Sequence, residues 1–247
     1  MWIPAWLGEC YSKLYVKFGR EVFRFSEAEV SLSVDRNKLL VVFSKLHSKR
    51  ILLIFHRGRP RLYRLLNPEN FIYLASGMVK KVEKIGSERY LNLILDCLRI
   101  LLRTIDLESF AVYGSVARGT AFNYSDVDIL LVSDSFEGSL ASRLDKLSHV
   151  ERQLGDELRW LREHGIYASL SFYPLRREEA MRMPLLFLDL TEEAAILYDR
   201  NGFLESILLE LKKELQMRGA RRVELGKSRW YWDLMPGRKP GERVEVT

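Results

Sequence analysis

The sequence has few of the residues that build disulfide frameworks, zinc sites or membrane spans. Its two cysteines, Cys10 and Cys97, and its four histidines exclude a disulfide-stabilised fold and leave no Cys/His grouping with zinc spacing. Lys45, Lys49 and Arg50 interrupt the apolar stretches well before they reach the length of a bilayer span. The N-terminal segment lacks the basic start and the small-residue cleavage site of a secretion signal. We therefore expect a cytoplasmic protein with reduced cysteines.

Positive charge is concentrated in the first third of the chain. Residues 1–90 hold 17 Lys and Arg against 8 Asp and Glu, whereas residues 91–247 hold 22 against 25. The segment 35–64 alone contains nine basic residues and one acid. Such a density attracts polyanions, nucleic acid in particular. The alternative interpretation is a solvated basic face without a partner.

Residues 1–85 are predicted to form three helices followed by a hairpin. Apolar residues recur at helical spacing over 11–18, and Ser26 followed by Glu29 has the pattern of a capping box. Asp35 is placed to cap a third helix that ends at residue 48. Two strand-like runs then flank a turn rich in arginine.

This order of elements resembles a winged helix-turn-helix domain over roughly residues 5–75. The resemblance implies that the third helix and the hairpin turn contact DNA or RNA. Winged helices also serve as protein-binding modules or spacers, so that alternative stays open. The basic side chains expected to contact nucleic acid are Lys38, Lys45, Arg57, Arg59 and Arg61.

Residues 86–247 alternate between helical and strand patterns, which is typical of an α/β domain. Leucines spaced by three and four residues over 140–161 predict a helix along one face of a sheet. We therefore expect an α/β (α+β) fold with a mixed sheet and helices, preceded by the small basic domain. The expected elements are a helix over 88–104, strands over 109–113 and 127–132, a helix over 140–164, a strand over 166–172 and a helix over 204–217.

Two short motifs between residues 111 and 132 carry the candidate chemistry. A hydrophobic strand runs into Gly114 and Ser115 at the start of a short helix, so backbone N–H groups and a hydroxyl face whatever lies above the turn. That arrangement suits a phosphate. Asp126 and Asp128 lie two apart on a strand, so both side chains point to one face and can share a divalent cation. Taken alone, an Asp-x-Asp pair is more often a solvated loop or a cap.

In this order and spacing, the motifs resemble the signature of the polymerase-beta-like nucleotidyltransferase superfamily, especially its minimal members and the kanamycin nucleotidyltransferase type. The resemblance implies a core on which Mg²⁺ or Mn²⁺ orients a nucleoside triphosphate for attack on its α-phosphate by an acceptor hydroxyl. It makes Asp126 and Asp128 the catalytic metal ligands. It makes Gly114 and Ser115 contacts of the bound nucleotide. Arg118 is either a further phosphate contact or a surface charge.

The sequence departs from this family at one position of the presumed site. Active members usually carry a third carboxylate on a later core strand, but the strand expected over 166–172 contains no acid. Ser169 and Ser171 share one face of that strand, and a serine is not a strong general base at neutral pH. Binding of nucleotide is therefore safer to predict than catalysis. Four acids elsewhere in the sequence would supply the third carboxylate if the fold places one of them within metal reach of Asp126 and Asp128: Glu151, Asp156, Glu178 and Asp189.

Two functional hypotheses follow. The first is an enzyme that transfers a nucleoside monophosphate to a hydroxyl of a protein, a nucleic acid or a small molecule; a protein acceptor is implied by analogy with minimal relatives that modify a tyrosine of a partner. The second is a catalytically weakened, nucleotide-sensing regulator that binds nucleic acid.

The segment 183–234 resembles an extension of archaeal nucleotidyltransferase-like proteins, and this resemblance indicates no substrate. Its Trp230, Tyr231 and Trp232 either fill a core or stack on a base.

Overall fold

The computed structural model describes residues 3–226 and 229–236. Its N-terminal part contains the expected three helices and an antiparallel hairpin. Asp35 caps the third helix as predicted, because its carboxylate accepts hydrogen bonds from the backbone N–H groups of Asn37 and Lys38. The elements are α1 (Ala5–Phe18), α2 (Phe25–Leu32), α3 (Arg36–Ser48), β1 (Leu52–His56) and β2 (Leu62–Leu65).

The capping box predicted at Ser26 and Glu29 is wrong. The second helix begins earlier, with Arg24 at its N-cap, because the carboxylate of Glu27 accepts a hydrogen bond of 2.6 Å from the Arg24 backbone N–H. The first helical residue, Phe25, packs edge-on against the ring of Phe43 in α3, with ring centroids 4.9 Å apart. Burial of this aromatic contact favours the earlier start.

The remaining elements surround a four-stranded mixed sheet with the strand order β5-β4-β3-β6. Strand β3 is antiparallel to both β4 and β6, whereas β4 and β5 run parallel. A separate antiparallel hairpin, β7 and β8, follows the last helix. The elements are α4 (Pro68–Ala75), α5 (Leu91–Thr104), β3 (Ser109–Tyr113), α6 (Gly114–Arg118), β4 (Val127–Val132), α7 (Leu140–Gln153), α8 (Gly155–Glu163), β5 (Leu170–Leu175), α9 (Arg177–Met181), α10 (Leu186–Glu193), β6 (Ala195–Asp199), α11 (Phe203–Met217), β7 (Arg221–Gly226) and β8 (Arg229–Asp233).

Three expected elements of the α/β part differ from those observed. The helix expected over 88–104 is α-helical only from Leu91, after a 3-10 turn over Glu88–Tyr90. The helix predicted over 140–164 is interrupted at Leu154, just before Gly155, a residue of low helix propensity. The strand predicted over 166–172 begins only at Leu170. The residues before it are engaged elsewhere: the Ile166 backbone N–H closes the end of α8, and that of Tyr167 donates to the Asn123 carbonyl.

The two halves of the chain share a hydrophobic core. One buried cluster includes Leu53 and Phe55 of the hairpin, Ile85 of the connecting segment, and the inner residues of α5 and the sheet. A second cluster joins α1, α2 and α3, and a third lies between the other face of the sheet and α10 and α11. The domain boundary after residue 85 therefore remains a prediction. Within the described residues, no helix has the length and apolar character needed to cross a bilayer.

Candidate functional site

The turn that joins β3 to α6 is built closely around the Asp128 side chain. Gly114 has a φ of 69°, and a Cβ placed on it would lie 2.2 Å from Oδ2 of Asp128. Only glycine tolerates both this backbone conformation and this approach. The next residue, Ser115, is half-buried, and its hydroxyl bonds to no residue in the described part of the chain. The turn therefore presents a free hydroxyl beside a carboxylate.

Asp126 and Asp128 lie at the start of β4, each next to a serine of the neighbouring chain segment. The Ser169 hydroxyl donates to Oδ1 of Asp126. Ser171 is the register partner of Asp128 in the parallel β4–β5 pair. The two carboxylates and the two hydroxyls therefore share one face of the sheet edge.

The electrostatics of this face reflect two like charges held close together. Burial and the neighbouring Asp126 raise the pKa of Asp128, against the lowering effects of Arg118 and Ser171. Burial, Asp128 and Tyr173 together raise the pKa of Tyr113, the register partner of Asp128, to about 12. A cation bound between the carboxylates would relieve their repulsion.

No third acid joins the pair among residues 3–226 and 229–236, where no group of three or more His, Cys, Asp or Glu has the arrangement of a metal site. Three of the four acids named as alternatives have other partners, and the fourth, Glu151, lines a cleft with Ser171. These partners are Arg159 for Asp156, Arg176 for Glu178, and the indoles of Trp230 and Trp232 for Asp189.

The Asp pair nevertheless fits one divalent ion. Two carboxylates with adjacent hydroxyls are the hard oxygen donors that Mg²⁺ and Mn²⁺ prefer.

Arg118 lies at the end of α6, beside this face, and is held from its other side. Its guanidinium forms an ion pair with Glu193, whose side chain is only 4% exposed, and lies 4.8 Å from the ring centroid of Trp230. Arg222 of β7 pairs with the same glutamate at 2.8 Å and packs over the same ring. The C-terminal hairpin thus positions Arg118. This contact could not be predicted from the sequence, because Glu193 and Trp230 are distant from Arg118 in the chain.

The aromatic tail residues are anchored. The indole N–H groups of Trp230 and Trp232 both donate to Oδ1 of Asp189, at 2.7 and 2.9 Å. Tyr231, between them, is half exposed. The five basic residues predicted to contact nucleic acid are all exposed, in α3 and in the turn between β1 and β2: Lys38, Lys45, Arg57, Arg59 and Arg61.

Comparison with known proteins gives one family assignment for part of the chain. Residues 94–182 match the nucleotidyltransferase domain family. No curated protein matches the chain. Among solved structures, a chain described as "Crystal structure of the toxin-antitoxin with AMP-PNP" is 15% identical, with a TM-score of 0.32, over 50% of this chain and 90% of that chain. The family match covers the Gly-Ser turn and the Asp pair, and it supports a nucleotidyl-transfer activity in general terms.

Proposed function

We propose that this protein transfers a nucleoside monophosphate from a Mg²⁺- or Mn²⁺-bound nucleoside triphosphate to an acceptor hydroxyl. The observation that carries the proposal is the packing of the Gly114–Ser115 turn directly against Asp128, inside the segment that matches the nucleotidyltransferase domain family. A phosphate-binding turn and a metal-binding carboxylate are thereby adjacent. Nucleotidyl transfer would need this juxtaposition, because the carboxylates that would hold a divalent ion have to lie next to the turn that would hold the phosphate.

The roles of the residues follow from their positions. Asp126 and Asp128 hold the divalent ion, which when bound neutralises phosphate charge and lowers the pKa of an attacking hydroxyl. The free Ser115 hydroxyl and the backbone at Gly114 contact the triphosphate. Arg118, held in place by its ion pair with Glu193, supplies a positive potential at the same face. The acceptor, whether on a protein, a nucleic acid or a small molecule, approaches from the exposed side of Asp126.

A direct test is transfer of label from an α-³²P-labelled nucleoside triphosphate in Mg²⁺ or Mn²⁺. The parent protein should release pyrophosphate slowly and only with a divalent ion. Asp126→Asn with Asp128→Asn should abolish release, because the charges that hold the ion are gone. The matched control is Asp156→Asn, which neutralises an exposed acid on α8 and should leave the rate unchanged. If the double variant keeps the parent rate, the assigned site is wrong.

Nucleotide binding should survive even where turnover is slow. A non-hydrolysable triphosphate with Mg²⁺ should raise the melting temperature, since a ligand at 100 times its Kd stabilises the folded state by about 2.7 kcal/mol. A melting shift without any turnover would favour the nucleotide-sensing regulator. The lack of a third acid near the Asp pair, within the described residues, is the observation that keeps this second candidate.

The N-terminal part suits a nucleic-acid contact under either candidate. Its order of three helices and a hairpin and its exposed basic side chains support the winged-helix interpretation. Binding to duplex DNA should weaken steeply as salt is raised, because phosphate contacts release counterions. Replacing Lys38 and Lys45 with alanine should reduce both the affinity and the salt dependence. Equal binding by this variant and the parent would leave the domain as a protein contact or a spacer.

A further inference from the structure

Large aromatic rings are exposed around the loop that precedes Asp126. Tyr124 is 76% exposed and Tyr167 is 48% exposed, and their rings stack with centroids 5.0 Å apart and planes 9° from parallel. Phe122, in the same loop, is 80% exposed. Rings of this size usually bury most of their surface. We call the stacked pair Tyr124 and Tyr167 the aromatic platform.

The aromatic platform is fixed next to the candidate site. Tyr167 lies two residues before Ser169, whose hydroxyl contacts Asp126, and Tyr124 lies two residues before Asp126 itself. The Tyr167 backbone N–H donates to the Asn123 carbonyl at 2.7 Å, so the two segments that carry the rings are joined. A hydrogen bond of 2.9 Å from the Tyr90 hydroxyl to the Phe122 carbonyl holds the loop from below. A platform held in this way loses little conformational entropy when a ligand stacks on it.

A positively charged cleft continues from the same loop. It has a volume of about 260 Å³ and lies between the turn after β1, the segment 86–89 and the residues that follow α6. Arg57 and Arg89 line it, and neither has a carboxylate partner within the described residues. Glu88, also in the lining, is already paired with Arg50 at 2.5 Å and with His47 at 3.0 Å. We call this the basic cleft.

Arg89 connects the two features. One of its guanidinium nitrogens donates to Oδ1 of Asn123 at 2.9 Å and the other to the Ala121 carbonyl at 3.0 Å. Asn123 immediately precedes Tyr124, and Ala121 lines the basic cleft. Arg89 and Asn123 therefore join the aromatic platform to the basic cleft, whose arginines have no carboxylate partner within the described residues.

We infer that the aromatic platform and the basic cleft together bind single-stranded nucleic acid, with bases stacked on Tyr124 and Tyr167 and a backbone phosphate at Arg57 and Arg89. Exposed rings beside a positive groove are the features that unpaired strands require, since every base has a stacking face and every nucleotide a phosphate. A duplex hides those faces. The positive charge favours a strand over an apolar protein surface. The inference goes beyond the proposed transfer, because strand binding needs neither triphosphate nor metal.

The test is fluorescence anisotropy of the full chain with labelled 12-nucleotide oligo-dT and oligo-rU and with a duplex of the same length, at low salt. Tyr124→Ala with Tyr167→Ala should weaken single-strand binding by about tenfold or more, since it removes the rings on which the bases would stack. Duplex binding by the same variant should match the parent. Tyr124→Phe with Tyr167→Phe keeps the rings and should bind as the parent does. Comparison of dT with rU shows which strand chemistry is preferred.

Matched controls separate the surface from the rest of the protein. Tyr231→Ala removes a tyrosine of similar exposure on β8 and should leave strand binding unchanged. Arg57→Ala should weaken strand binding several-fold, whereas Arg182→Ala, an exposed charge after α9, should not. Parent-like binding by the double alanine variant would overturn the inference, and so would absence of strand binding by the parent, which would leave the platform as a protein contact. The nucleotide-induced melting shift should persist in the double alanine variant. If the parent itself shows no such shift but binds single strands, the proposed transfer is refuted and the strand-binding inference is not.

Discussion

Two groups of charged side chains in this molecule differ in whether they are paired with opposite charge. Arg64 of β2 and Glu157 of α8 are 1% and 3% exposed and form a bidentate pair at 2.5 and 2.8 Å, with Arg20 adding a third contact of 2.8 Å. Asp126 and Asp128 are instead like charges on a partly exposed face. The Glu157 carboxylate is paired with opposite charge within the protein, whereas the carboxylates of Asp126 and Asp128 mainly face each other.

The comparison shows how stabilising and functional charges can be told apart. A buried pair such as Arg64 and Glu157 fixes the relative position of the hairpin and α8, and both carboxylate oxygens of Glu157 accept hydrogen bonds. The Arg64 guanidinium also lies 3.6 Å from the ring centroid of Trp160. Carboxylates that repel each other at a surface contribute nothing to folding unless a cation joins them. Their position beside a Gly-Ser turn therefore supports the proposed cation and nucleotide site.

Loss of the buried Arg64–Glu157 ion pair should destabilise the protein strongly. Glu157→Gln leaves the buried Arg64 charge without its partner and should lower the free energy of unfolding by about 3–5 kcal/mol. Urea unfolding followed by circular dichroism measures the change. The control is Arg64→Met with Glu157→Leu, which removes both charges and should restore most of the stability. A Glu157→Gln variant within about 0.5 kcal/mol of the parent would show that the pair is not the structural link described here.

A third carboxylate at the candidate site should raise its activity. Ser171→Asp places a third carboxylate beside Asp128 on the same face, where a second cation would be shared. If the missing acid limits turnover, the rate of pyrophosphate release in Mn²⁺ should rise by about tenfold, or about 1.4 kcal/mol of barrier. Ser169→Asp, beside Asp126, should act in the same direction.

The matched control for this variant is the residue between the two serines. Leu170 is buried on the opposite face of β5, so Leu170→Asp should destabilise the fold without raising the rate. An unchanged or lower rate in both serine variants, with normal folding and normal nucleotide binding, would mean that a third acid is not what the site lacks.

Features set by local pattern were predictable from the sequence. The bounds of β3 and β4 agree with the prediction, because continuous apolar runs end there at Gly114 and at a polar loop. The cap at Asp35 was likewise readable from residue type and position. These elements suffice to bring the turn and the Asp pair together.

Features set by register or by distant contacts were not predictable. The pairing of Asp128 with Ser171 depends on the alignment of two parallel strands, one of which, β5, does not start at the expected residue. The stacking of Tyr124 on Tyr167 joins residues more than 40 positions apart, and neither carries a periodic signal. Glu193 reaches Arg118 in the same way. Tertiary packing decides each of these contacts.

A smaller change in stability is expected for Asp96, an acid whose charge is only partly compensated by its neighbours. Burial and the nearby Glu157 raise the pKa of Asp96 to about 6, against the lowering influence of Arg99, Asn70 and Arg20. Its folded-state pKa lies above the ordinary value of 3.8, so the folded protein binds this proton more tightly than the unfolded chain. The resulting stabilisation is fully present below pH 3.8 and is lost as the pH rises through 6.

Lowering the pH from 7 to 5 should therefore increase the contribution of Asp96 to stability by about 1 kcal/mol. The measurement is the free energy of unfolding in urea at both pH values for the parent and for Asp96→Asn. Asparagine cannot take up the proton, so the variant should lack this part of the pH dependence. The free energy of unfolding of the variant should therefore exceed that of the parent by more at pH 7 than at pH 5. Parallel pH profiles for the two proteins would mean that Asp96 is already protonated or already compensated at neutral pH, and that its position beside Glu157 does not carry the electrostatic cost inferred from the structure.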